Sequence, residues 1–392
     1  MPTDPDRLRG LCNPPVRGGV TGFRRRLRGR AALGRPVRDA SRPAQCISAG
    51  VRAALVAFVA LAIAANALPA LAQQPYKPEY KLSVAVGPAY PWGKGADIWA
   101  QLIKERTAGR INVKLLPGAS ATGGDPAREF AALREGSIDL AVGSTLNWSA
   151  SVTPLNLFGL PFLFTGSKSL DAVLNSEAGN DLLRAVDEAG VVALAWGDND
   201  FHQLSASGRP LRAPGDFAGL RLRVTGPPIV EESLAALGAT PVRSGWLDAQ
   251  KALLDGRLQG QETSLAVYVA TKSQTLGQKQ VTVMALAAEP LLFAASRQAW
   301  NGWSEQDRAI VRQAAIDAAQ REFALARRAS ADAAAVIGKD LRGSGVVLTQ
   351  LKPGERAALA AATRPVFDKW TAKIGPGLVK RAQDAAAASA SN

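Results

Sequence analysis

From residue 81 onward, short apolar runs alternate with longer stretches whose apolar residues recur at helical spacing. The run KLSVAV (81–86) predicts a strand, 87–95 a loop, and Ile98, Leu102 and Ile103 share one face of a helix over 97–107. A second strand over 111–116 stops at Pro117-Gly118. Strand, helix, strand in this order predicts a parallel pair with a right-handed crossover. A helix over 127–135, a strand over 138–142, a helix over 167–183 and a strand over 191–196 continue the alternation. FGLPFLF (158–164) is apolar and aromatic with an internal proline, so it reads as a buried crossing segment rather than a helix.

The stretch 211–262 organises the rest. Pro214-Gly215-Asp216 is turn chemistry, and Leu220, Leu222 and Val224 then alternate with Arg221 and Arg223. That period of two predicts a strand with two guanidiniums on one face. Arg223 lies nearer the strand's end, just before Gly226-Pro227-Pro228. Ligands of open α/β sheets gather beyond the carboxyl ends of strands, and a guanidinium there offers a fixed fork to a carboxylate. The bland alternative is a solvated arginine face. A helix over 229–237, a short strand over 240–242, a helix over 247–254 and a very short strand before Gly260 follow. Residues 268–272, 282–286 and 291–296 extend the alternation, with 281–295 forming a return strand. Ser304 caps a helix, with Asp307 three residues on, and neither Gly nor Pro interrupts 304–337. At about 1.5 Å per residue it reaches roughly 50 Å, enough to brace two halves of a molecule. A last strand over 346–351 and a helix over 353–373 precede an Ala/Ser tail, expected to fray.

A net charge of +14 points to nucleic acid until its distribution is considered. Residues 1–72 hold twelve arginines, no lysine and three acids, and the remainder carries only +5. That balance leaves no phosphate-binding footprint. Arg52 precedes an apolar run that ends in Ala70-Leu71-Ala72, which predicts a secretory signal cleaved after Ala72 and a periplasmic protein. Residues 1–50 are either a long leader or the product of an early start codon. Both cysteines, Cys12 and Cys46, fall before that site, so the mature chain has no disulfide framework and no thiolate chemistry.

Candidate chemistry is sparse. His202 is the only histidine, so a metal cluster would have to be built from carboxylates. Gly93 and Gly95 lack the third glycine of a dinucleotide fingerprint, and neither a phosphate loop nor a nucleophile elbow is present. An enzyme is the weaker reading, and no cofactor is expected. Ser144 follows a strand end, and Trp92, Trp148 and Trp246 lie in loops or helix starts near strand ends, where they either line a cleft or pack a core.

Six motifs, GLRLRV, LGATPV, ALLDGRLQGQE, EGSIDLAVGS, FGLPFLF and LAWGDNDFHQLSAS, stand in an order that resembles the substrate-binding proteins of TRAP transporters, the DctP-like family, over roughly residues 80–339. The resemblance implies a two-lobed α/β periplasmic-binding-protein-like fold with a ligand cleft between lobes and a long bridging helix. One lobe would comprise 76–200 plus 289–328, the other 201–288 plus 329–392. By the same resemblance Arg223 clamps a ligand carboxylate. His202 stands close to where the family often carries a second arginine, and Thr263 stands where an asparagine is common. Trp246 and Asp248 hold the aromatic and acidic places that open a helix. The implied function is a periplasmic receptor that captures an organic acid, first of all a dicarboxylate, and delivers it to a TRAP membrane permease. A second cation for a dicarboxylate would come from His202, Arg221 or Arg243. The alternatives are a receptor for aromatic or other monocarboxylates, or one that feeds a sensor kinase.

Overall fold

The computed structural model describes residues 76–389. The expected secretion signal, its cleavage site and both cysteines lie outside them. Among the described residues no helix is long and apolar enough to cross a membrane.

Nine strands among the described residues form one mixed sheet: β1 (Tyr80–Val84), β2 (Val113–Leu116), β3 (Leu140–Ser144), β4 (Val191–Ala206), β5 (Arg221–Val224), β6 (Thr240–Arg243), β7 (Gly260–Thr263), β8 (Gln280–Ser296) and β9 (Val347–Gln350). The order is β2-β1-β3-β8-β4-β7-β5-β6, with β9 also beside β8. β1 pairs in parallel with β2 across the helix Pro91–Arg106, as the sequence pattern predicts. The long strands β4 and β8 run antiparallel through the whole molecule, with register shifts around Asp198 and His202. Their ends at 191–198 and 290–296 complete a half-sheet with β1–β3. Their other ends, 201–206 and 280–288, complete a second one with β5–β7 and β9. Both strands are almost wholly buried, which is why 191–196 and 291–295 read as apolar runs rather than clean alternations.

The helix Glu305–Gly338 is 34 residues long and uninterrupted, with Ser304 Oγ accepting from the Asp307 amide at 3.1 Å. Its first half packs Ala314, Ala315, Ala318 and Ala319 against the β1–β3 core with Trp99 and Phe293. Its last turns pack Ala333 and Ile337 against Leu265, Tyr268 and Val281 in the other half. Between them Glu322 accepts from the Asp198 amide at 2.8 Å, Arg327 pairs with Asp198 and with Asp171 (2.8 Å), and Ser330 donates to Asp200. The middle of the helix is thus tied to the point where β4 passes from one half-sheet to the other. Gly95 permits this approach, since a Cβ there would lie 2.5 Å from Glu322 Cγ. Gly93 is likewise a packing glycine, its Cβ position being 2.2 Å from the Gly87 carbonyl.

Several elements differ from the sequence reading. The first helix begins at Pro91, inside the expected loop, because a proline at the first helical position is pre-set for helix entry. The helix expected over 167–183 divides into Ser167–Leu174 and Glu177–Glu188, where Ser176 starts a new cap. Residues 268–272 are not strand: Ser264 caps the helix Leu265–Ala270. The helix expected over 353–373 breaks at Thr363, ahead of Pro365, and the Ala-rich tail forms the helix Pro376–Ala388 instead of fraying.

Candidate functional site

The site begins at the carboxyl end of β5. Leu222 and Val224 face the core at 0% exposure, which sends Arg221 and Arg223 to the other face. Arg221 is exposed and donates to the Arg257 carbonyl. Arg223 is held at 9% exposure. Its Nε donates to the Ser244 carbonyl at 3.2 Å, and its guanidinium lies 5.5 Å from the Trp246 ring. Burial lowers its pKa and the nearby Glu262 charge partly restores it. Among the described residues no carboxylate pairs with it, so this desolvated cation keeps its terminal nitrogens for another acceptor. Trp246, half-buried at the first position of the helix Trp246–Leu254, serves as its aromatic backstop.

Glu262 on β7 joins Arg223 to a second cluster. One of its oxygens accepts from the Thr225 amide (2.7 Å), the Thr225 hydroxyl (2.8 Å) and the Gly226 amide (3.1 Å). The other meets only His202 Nδ1. On the opposite side His202 Nε2 lies 3.0 Å from Glu289, which also accepts from Ser144 Oγ (2.6 Å) and Asn199 Nδ2 (2.6 Å). His202 is 5% exposed. Burial opposes its charge, but the two glutamates outweigh it and hold the imidazole well above its usual pKa. Burial would likewise raise Glu262, yet the His202 charge and the Thr225 donors bring it down to about 2. An imidazolium therefore sits between two carboxylates.

The predicted residues thus divide. Ser144 and His202 meet through Glu289, and Arg223 stacks on Trp246. Thr263 follows Glu262 and pairs with Gln203 across β4 and β7. Trp92 donates from Nε1 to the Val142 carbonyl at 2.7 Å, and it borders a cavity of about 120 Å³ shared with Asn199, Asp200 and Ser264. Trp148 is fully buried against Phe130, its ring filling the space above Gly143. Arg243 pairs with Glu231. Glu289, Asn199 and Thr225 were not foreseen. The one available signal for Glu289 was a lone acid in the apolar run 285–295.

Residues 82–373 match the model of the bacterial extracellular solute-binding proteins, family 7 (DctP). The chain belongs to this family. Among family 7 relatives, the C4-dicarboxylate-binding periplasmic protein DctP of Rhodobacter capsulatus is 28% identical over 324 residues, 82% of this chain and 94% of that protein. Among solved structures, a TRAP periplasmic solute binding protein from Ralstonia eutropha H16 with bound (S)-2-acetolactate is 49% identical. It covers 80% of this chain and 99% of its own, with a TM-score of 0.75. Another, from Sulfurospirillum deleyianum with bound succinate, is 28% identical over 78% of this chain and 98% of its own, TM-score 0.70. The family 7 assignment carries the two-lobed α/β fold with it, and the half-sheets joined by β4, β8 and the long helix are its form here.

Proposed function

We propose that this chain is the periplasmic receptor of a TRAP transporter, holding a small organic acid by its carboxylate on Arg223 and passing it to the membrane permease subunits. The observation that carries the reading is the state of Arg223. It is buried, backed by Trp246, fixed through Nε, and paired with no carboxylate among the described residues. A charged group desolvated without a partner is costly, and an incoming carboxylate supplies the partner. The lobes would divide as 76–200 with 289–328 and 201–288 with 329–392, closing over the ligand. Catalysis is disfavoured by the use of His202: both ring nitrogens face carboxylates, so neither serves as a base toward a hydroxyl. Two ligand classes are represented among the relatives, C4-dicarboxylates and a hydroxylated keto monocarboxylate. The test is a thermal-shift screen of the purified protein against a panel of organic acids, repeated with Arg223→Ala. One acid class should raise the melting temperature, and the variant should lose most of that rise. A rise that survives the substitution would remove Arg223 from the role of anchor.

A further inference from the structure

One row of polar contacts crosses the meeting point of the two half-sheets. Ser144, the last residue of β3, donates at 2.6 Å to Glu289, which stands between the two segments of β8. Glu289 meets His202 Nε2 at 3.0 Å, and His202 Nδ1 meets Glu262 on β7. Glu262 then accepts from Thr225 and Gly226, the two residues that follow β5. The three charged members of the row are all buried. Arg223 stands two residues before Thr225, and Glu262 is the acid whose charge bears on it. Other charges packed on these strands are engaged elsewhere. From the long helix, Glu322 and Arg327 meet β4 at Asp198, and Ser330 donates to Asp200. Arg356 meets β8 at the Met284 carbonyl, and Arg221 is exposed at the start of β5, on the Arg257 carbonyl. His202 is therefore the cation that offsets Glu262.

We infer that His202 is a positioning residue for the acid anchor: its charge holds Glu262 within the row and so keeps Arg223 available to a ligand carboxylate. This rests on the reading of Arg223 as the anchor, and it requires no contact between His202 and the ligand. With the imidazolium present, the Glu262 charge is offset and the Arg223 charge remains for an incoming acid. Without it, Glu262 and Glu289 flank a neutral ring in a buried site. The Glu262 charge then bears undiminished on Arg223 and opposes the carboxylate bound there. The two glutamates hold His202 well above its usual pKa, so its charge is present at neutral pH and is lost as pH rises through the folded value. Acid binding should weaken along the same course.

The test is calorimetric titration of the purified protein at neutral pH with (S)-2-acetolactate, and with succinate as a second probe. His202→Gln removes the charge and should weaken binding by about tenfold. Adding Glu262→Gln to the same chain removes the opposing charge and should restore most of that loss. If His202 merely packed the core, the double variant would bind as weakly as the single one, and that result overturns the inference. Undiminished affinity in His202→Gln overturns it as well. Melting curves establish that the variants are folded. Should either variant carrying His202→Gln not fold, the wild type and Glu262→Gln carry the test. Wild-type affinity should then fall as pH rises from about 7 to about 10, while that of Glu262→Gln stays level, and equal profiles overturn the inference. Undiminished binding by Arg223→Ala overturns the anchor instead, and a wild type that binds neither acid overturns both.

Discussion

Replacing Glu262 with glutamine tests the buried ion pair from its centre. The carboxylate uses one oxygen for three donors from Thr225 and Gly226 and the other for His202 Nδ1. An amide has only one oxygen, so if that oxygen keeps Thr225, its NH₂ group faces a protonated ring nitrogen. Removing one partner of a buried pair costs about 3–5 kcal/mol. With an unfolding entropy of about 2.1 cal/mol/K per residue over the described chain, the melting temperature should fall by about 5–8 °C. The pH dependence should change as well. The folded-state pKa of Glu262 lies below its ordinary 4.5, so its contribution is present above that pH and is lost as pH falls toward about 2. That of His202 is raised, so its contribution is complete below pH 6.5 and is lost as pH rises through the folded value. In the variant the acid-side loss should disappear and the alkaline-side loss should move to lower pH. Urea unfolding at a series of pH values measures both. A loss below about 1 kcal/mol with an unchanged pH profile would refute the account of this pair.

Two further outcomes are expected. Burial pushes Glu322 up to about 8, so the unfolded state ionises first and stability should fall as pH rises from 4.5 to 8, then level off. Glu322→Gln should flatten that slope, and parallel curves for variant and wild type would count against a buried, protonated carboxyl. Gly143→Ala places a methyl 1.9 Å from the Trp148 ring and should cost about 1–3 kcal/mol in urea unfolding, whereas an unchanged midpoint would mean that Trp148 does not fill that space.

The elements legible from the sequence are those decided locally. The alternation around Arg223, the capped long helix and the first strand–helix–strand unit all follow from spacing and end signals. What stayed hidden depends on partners far along the chain. Gly197-Asp198-Asn199-Asp200 reads as the end of a strand, yet β4 continues through it because Glu322, Arg327 and Ser330, more than a hundred residues later, bind its polar groups. VYVA at 267–270 has strand composition but is helical, since the Ser264 cap and burial of Tyr268 outweigh a weak local preference. In the site, Arg223 could be placed from its strand alone. His202 could be singled out but not interpreted, because its state depends on Glu262 and Glu289, which lie 60 and 87 positions later.

The shared strands bear on how such a receptor can be re-engineered. β4 and β8 run through both half-sheets, so excising either half would leave the other without two of its strands and expose a row of unpaired amides and carbonyls. The halves are therefore not interchangeable cassettes. A chimera that borrows a relative's ligand preference would have to exchange side chains within the two strands or the loops at their crossing, and a cut through the crossing itself should yield aggregating fragments rather than a soluble half-receptor.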